Sequence, residues 1–389
     1  MEKNSIPYLM KWEQSIIAFF YLFVFLVAYY LTSLQLQSGV SDVGSHLFFV
    51  EKIFNGEIYL PHPLWHLCVH YMKYVTFEEK SAAAMVTALF VVFWVYVVHA
   101  VYRFWTGKEK NDRWTLLFLA IIFVIGPAYL PTFSKFIIPG VGSPNIIHNT
   151  TLFAVKPFAL LTVLFTILAL EKKILSYYVV GAVSLLFSIF AKPSFVIAFL
   201  PALAFYILFK RLFNKETVIY FVLLSLMSVS VLGYQFMHTY GDENDSKVIV
   251  DFLGVWSRYS PNVLISIMLG LMFPLVYTLL SIKNVKENNY IQLVWLITLV
   301  SIGYAAIFAE SGPRYNHGNF FWSYMISLSL LYVVTIADYF KRMNHINRMS
   351  KIILNTVLIW QITVGVYYLV RFMEGYDAAG LVVLPKFIS

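Results

Sequence analysis

Asp42 and His46 stand four residues apart, so a helix through this stretch carries a carboxylate and an imidazole on one face. A carboxylate so placed can take the proton of an attacking hydroxyl and act as general base. The competing assignments are local: Asp42 as a helix N-cap, His46 as a structural hydrogen-bonder. Further along, Glu310-Ser311-Gly312-Pro313-Arg314-Tyr315-Asn316-His317-Gly318-Asn319 packs an acid, a guanidinium, an imidazole and two amides between apolar segments. Arg314 offers a planar fork suited to a phosphate. His317 and Asn319 add donors beside it, and Glu310 is either a ligand contact or the salt-bridge partner of Arg314.

Two lysines precede prolines in apolar surroundings, Lys156-Pro157 and Lys192-Pro193. A cation there is costly and marks a functional site or polar cavity, unless it snorkels to the interface. Both are phosphate candidates, and Arg258 is a third. In Pro139-Gly140-Val141-Gly142-Ser143-Pro144-Asn145-Ile146-Ile147-His148-Asn149, the Asn145, His148 and Asn149 side chains suit sugar hydroxyls. His62, His66 and His70 follow an i, i+4, i+8 series. A zinc site needs a third ligand in the right geometry, but Pro63 interrupts the helix start and no His-Glu-x-x-His motif exists. No metal site is expected; contact with a sugar or lipid headgroup, or interfacial packing, suits His62 and His66 better. A divalent ion brought by a substrate stays open.

Composition says what holds these groups. Of 389 residues, 60% are hydrophobic and 12% charged, whereas a soluble domain carries about 25% charged residues. Mean hydropathy is +0.74. A soluble enzyme, a disordered chain and a disulfide scaffold are excluded, and Cys68 is the only cysteine. The predicted class is an all-α, polytopic transmembrane bundle forming one membrane domain over residues 1–389.

Windows of about 20 apolar residues predict eleven spans, near 15–34, 81–102, 114–131, 151–170, 174–191, 194–209, 217–237, 262–282, 290–309, 319–339 and 352–370. The first is too long for a signal-peptide core and should stay as an anchor. With the N-terminus inside and the C-terminus outside, 17 of the 28 Lys and Arg fall on short inner loops, as the positive-inside rule expects. That explains the net charge of +8 without a nucleic-acid partner, for which no basic stretch is long enough. Seven of the nine histidines then lie outside, with twelve acids that include Asp242, Glu243, Asp245 and Asp377. The working face is therefore the non-cytoplasmic one, built from loops 35–80, 132–150, 238–261 and 310–318.

Within loop 35–80, Leu47, Val50, Ile53 and Phe54 recur at helical spacing and stop at Asn55-Gly56, and Leu64, Leu67, Cys68 and Tyr71 form a second set. Two amphipathic helices lying in the membrane interface are expected. The Gly241–Asp245 run lacks the spacing of an EF-hand loop. No GxxxxGKS, GxGxxG or GxSxG pattern occurs, so nucleotide-driven transport and serine hydrolysis by those routes have no support.

An extracytoplasmic Asp just after the first span, two interfacial helices, then many spans with short basic inner loops resembles the GT-C superfamily of membrane glycosyltransferases. The resemblance covers most of the chain in architecture. Many members carry a paired acid, Asp-x-Asp or Glu-x-Asp, where this stretch has Asp42 alone. It implies a bacterial plasma-membrane enzyme that moves a sugar from a polyprenyl-phosphate donor to a cell-envelope glycan or lipid acceptor. It further implies no cofactor, Asp42 as base, and Arg314, Lys156 and Lys192 as phosphate ligands. Two other readings use the same face: a polymerase or ligase consuming polyprenyl-linked glycans, and a non-enzymatic flippase.

The expected topology is checked by reporter fusion. A phosphatase that folds only outside the cytoplasm should be active when fused after Gly56 and inactive after Gly107. The reverse pattern would put Asp42 in the cytoplasm.

Overall fold

The computed structural model describes residues 6–39, 41–107, 113–134, 136–138, 140–145, 149–240 and 247–374. Helix α1 (Ile6–Ser38) leads into α2 (Val43–Phe54), α3 (Leu64–Thr76) and α4 (Glu79–Thr106). Next come α5 (Arg113–Val124), α6 (Thr150–Lys172), α7 (Leu175–Ala191), α8 (Ser194–Lys210) and α9 (Lys215–Tyr240). A short strand β1 (Val248–Val250) precedes α10 (Gly254–Tyr259), α11 (Val263–Gly270), α12 (Met272–Leu280), α13 (Ile282–Glu287) and α14 (Asn289–Ile307). Strand β2 (Phe308–Glu310) and a 3-10 turn over Gly312–His317 lead to α15 (Phe321–Arg342) and α16 (Arg348–Met373). Among the described residues the fold is all-α apart from the antiparallel β1–β2 pair, in which Val248 faces Glu310.

Every predicted apolar segment contains a helix, but the segments are not equivalent. Among the described residues seven helices are long and apolar enough to cross a bilayer, and α11 with α12 makes an eighth if that bent pair counts as one span. The chain is thus an integral membrane protein. The remaining three segments, α5, α7 and α8, have 12, 17 and 17 residues. The α6 and α15 windows are each 83% buried and form the centre, while α1, α9 and α16 are 22–28% buried and form the rim. Rim side chains such as Phe19, Leu26, Leu223, Leu226, Ile352 and Ile359 point outward. So much exposed apolar surface suits lipid and not water.

The segment expected as a helix to residue 131 stops at Val124. Pro127 disfavours helix at the residue before it, and the Asn145 amide donates to the carbonyls of Ile122 and Ile125, capping the end at 2.7 and 3.0 Å. The 262–282 segment bends by 72° at Leu271. There Tyr332 donates its hydroxyl to the Gly270 carbonyl at 2.8 Å, and Ala128 N–H reaches the Leu269 carbonyl. Non-helical backbone survives in a membrane protein only where such partners satisfy it.

The loop expected to display sugar-binding groups behaves likewise: Gly140 to Pro144 is buried. Its carbonyls are met by Trp256 at Gly140, Tyr324 at Val141, and both Lys156 and Ser329 at Pro144.

Helices α2 and α3 form as expected. They bury Val43, Val50, Trp65 and Val69, and expose Phe48, Tyr71, Tyr74 and Phe77. Helix α7 packs along α6, α8 along α14 and α15, and α1 along α4. Contacts between connecting segments segregate by end. Asp42 meets Asn149, Lys192 meets Thr151, Pro61 meets Gln235 and Tyr240 meets Glu310 at one end. Glu171 meets Asn289, Lys173 meets Glu216 and Arg342 meets Asn284 at the other.

Gly365 on α16 lies so close to the end of α5 that an added Cβ would fall 1.8 Å from the Val124 carbonyl oxygen and 2.6 Å from Gly126 N. Backbone on both sides leaves nothing to rotate away. Gly365→Ala should cost about 1–3 kcal/mol or more, read as a lower Tm of the purified protein; an unchanged Tm would contradict this packing.

Candidate active site

Asp42 occupies the N-cap position of α2, but its side chain makes no capping bond; Ser41 accepts from Val43 N–H instead. One carboxylate oxygen accepts from the Asn149 amide nitrogen at 2.9 Å. The other is buried without a partner among the described residues. The side chain as a whole keeps 36% of its surface open, so it is reachable although protein surrounds the rest. That enclosure pushes the Asp42 carboxyl up to about 7, against the opposing pull of Lys192, backbone N–H and Asn149.

His46 lies one turn on, with Nε2 at 3.8 Å from the bonded Asp42 oxygen and Nδ1 at 3.1 Å from His66 Nε2. The His62 ring centroid is 6.4 Å from each of these rings. Burial first, then neighbouring His66 and Lys192, holds His46 well below the usual imidazole range. Burial does the same to His62, helped by Lys192, and takes His66 to about 3. All three are neutral near pH 7. With Asp42 ionised, the consistent proton assignment has His66 donating to His46 Nδ1 and His46 Nε2–H facing the carboxylate.

Lys192 sits at the α7–α8 junction, 7% exposed, with its ammonium 3.0 Å from Thr151 Oγ1 and 5.0 Å from the Trp322 ring centre. The Thr151 hydroxyl donates to Asn149 Oδ1 at 2.9 Å, and Leu152 N–H donates to the same oxygen at 3.0 Å. Asn149 is therefore the N-cap of α6 and the partner of Asp42 at once. Because its oxygen is taken by the cap, its amide nitrogen must face the carboxylate.

Lys192 also lines a cavity of about 540 Å³. His62, Arg314, Asn319 and Ser323 share its polar wall, and Ile197, Val229, Leu232, Phe236 and Tyr304 give an apolar trough between α8, α9 and α14. Arg314 is 3.4 Å from Glu310 through Nε and lies over the Tyr240 ring. Glu310 is 2% exposed and accepts from Tyr240 and Asn319. It thus anchors three cavity-lining side chains. A cationic wall beside an apolar trough is complementary to an anionic amphiphile.

Other sequence candidates lie elsewhere. Lys156 is fully buried in α6, donates to the Pro144 carbonyl at 2.8 Å, and does not line this cavity. Asn145 caps α5. Arg258 is exposed and binds Asn316 at 2.7 Å, stacked over Tyr315, and His317 is exposed on the same turn. His148, Asp242, Glu243, Asp245 and Asp377 lie outside the described residues. Among the described residues no group of three His, Cys, Asp or Glu has metal-site geometry; His70 instead stacks on Phe54 at 3.4 Å.

Thr151, Gln235 and Tyr240 join the site although sequence reasoning left them out, and Asn149, expected to meet sugar hydroxyls, binds Asp42. The readable signal for Asn149 was Asn-Thr-Thr opening an apolar run, an N-cap pattern; its link to Asp42, 107 positions away, had none. No protein-family model matches the chain, and no curated protein matches it in sequence.

Proposed function

We propose that this protein is a membrane glycosyltransferase that moves a sugar from a polyprenyl-phosphate donor to a glycan or lipid acceptor at the non-cytoplasmic face. The observation that carries the reading is the cavity in which Lys192, Arg314 and His62 meet an apolar trough, with Asp42 one hydrogen-bonded chain behind Lys192. The trough would take the isoprenoid, and the two cations its phosphate. The resemblance to GT-C enzymes agrees with this arrangement and supplies the expected site, a bacterial plasma membrane.

The reading takes the membrane path as eleven crossings with the N-terminus inside. It is supported by the way loop contacts sort to two ends, with Lys172, Lys173, Lys283, Lys286, Lys341 and Arg342 at the end away from Asp42. Helices α5, α7 and α8 cross as short spans, α7 with one apolar face (Val179, Val183, Phe187) turned outward.

In the reaction, the acceptor hydroxyl attacks the anomeric carbon and gives its proton to Asp42. The bond from that carbon to the phosphate oxygen breaks, its electron pair staying on the phosphate. Lys192 and Arg314 stabilise the charge that develops there. Neutral His46, 3.8 Å from the carboxylate, faces Asp42 without competing for the proton.

In proteoliposomes with a radiolabelled polyprenyl-phosphate sugar, Asp42→Asn should lower transfer about 10²–10⁴-fold without loss of fold, and Arg314→Ala should chiefly raise KM. Because ionised Asp42 is the active form, the wild-type rate should climb with pH and level off above about 7. Full activity of Asp42→Asn would remove the assigned base. Lipid movement with no covalent product would favour a flippase instead.

A further inference from the structure

Lys192 faces two ways. It lines the cavity, and it begins a directed run of hydrogen bonds: Lys192 Nζ to Thr151 Oγ1, Thr151 hydroxyl to Asn149 Oδ1, and Asn149 Nδ2 to Asp42 Oδ2, at 3.0, 2.9 and 2.9 Å. No member can reverse its part. An ammonium only donates, so the threonine hydrogen must go to Asn149, and the Leu152 N–H bond fixes that amide. We propose that Asn149 and Thr151 are positioning residues that tie the Asp42 carboxyl to Lys192, so that an anion held by Lys192 in the cavity governs how tightly Asp42 holds a proton.

The direction follows from charge. The Lys192 cation favours ionised Asp42. An anion arriving on the cavity side cancels part of that field and competes for the ammonium's donors, so the carboxyl binds its proton more tightly. Among the described residues, the other titratable or charged groups around Asp42 are His46 on its own helix, His66 of α3, His62 just before it, and Arg314 beyond His62. The three histidines stay neutral near pH 7 and do not mask the response. For the proposed glycosyl transfer, on which this last step rests, the timing is useful. As the carbon–oxygen bond breaks, the phosphate beside Lys192 gains one negative charge, and Asp42 becomes a stronger base as the acceptor's proton reaches it.

The test needs no sugar substrate. Dicyclohexylcarbodiimide adds to protonated carboxyls, so mass spectrometry of the Asp42 peptide from the full-length protein in nanodiscs gives its titration midpoint. Farnesyl phosphate serves as the anionic amphiphile, and quenching of tryptophan fluorescence reports its binding. The midpoint should rise by about one pH unit with farnesyl phosphate, less than half as much in Thr151→Val, and not at all in Lys192→Met. Asn149→Asp keeps the N-cap but sets a carboxylate against Asp42, and should raise the midpoint without ligand. Asn149→Ser keeps the cap without the amide nitrogen and should cut the ligand-induced rise by more than half, whereas a purely structural Asn149 would leave that rise intact. Bound farnesyl phosphate with an unmoved wild-type midpoint overturns the coupling and leaves the donor site standing. Absence of binding overturns the donor assignment together with the anion response, and an unmoved Asn149→Asp midpoint overturns the link from Asn149 to Asp42.

Discussion

A charge kept among apolar helices must be held by partners, and Lys192 is where this protein meets that constraint. Its ammonium is removed from water at the junction of α7 and α8, with Thr151 on one side and the Trp322 face on the other. Much of the surrounding architecture keeps that junction in place. The Ser194 carbonyl beside it accepts from Ser323 of the central helix α15. Asn149, which starts α6, closes the chain to Asp42. The two most deeply buried helices, α6 and α15, thus each contribute a side chain at the site, so its geometry rests on the stiffest part of the bundle.

The second buried lysine meets the same constraint in another way. Lys156 lies in the middle of a packed helix, and its partner is the backbone carbonyl of Pro144, which Ser329 also reaches. Together with Trp256 and Tyr324 it gives partners to three carbonyls of an irregular stretch that threads through the bundle. Two Lys-Pro pairs that look alike in sequence therefore differ in kind. One ammonium stabilises the path of a loop; the other faces a cavity.

That difference marks the limit of what the sequence alone discloses. Periodicity and length are local properties, and they located every apolar helix, the α2 stop at Asn55-Gly56, and the pairing of Asp42 with His46 on one helical face. Arg314 and Glu310 were legible because a short loop held too many polar groups for a plain turn. What stayed hidden depends on contacts distant in the chain. The early end of α5 needs Asn145 and Gly365, and the bend at Leu271 needs Tyr332. The roles of Asn149 and Thr151 need Lys192 and Asp42 to arrive from elements far apart in the sequence.

The polar atoms left unpaired tell the same story in energetic form. Asp42 Oδ1, His62 Nδ1 and His66 Nδ1 are buried and lack partners among the described residues, and each such atom costs about 1–3 kcal/mol. Other buried side-chain atoms, among them Trp94 Nε1, Thr150 Oγ1 and Gln361 Oε1, also lack partners among the described residues; here three lie within one cluster. These three are donors and acceptors at or beside the Asp42 side chain, which keeps 36% of its surface open. The Asn149 cap of α6 holds this cluster at Asp42. A looser scaffold would let His46 and Asn149 turn to satisfy their neighbours, and the carboxylate would lose the exposure that makes it useful.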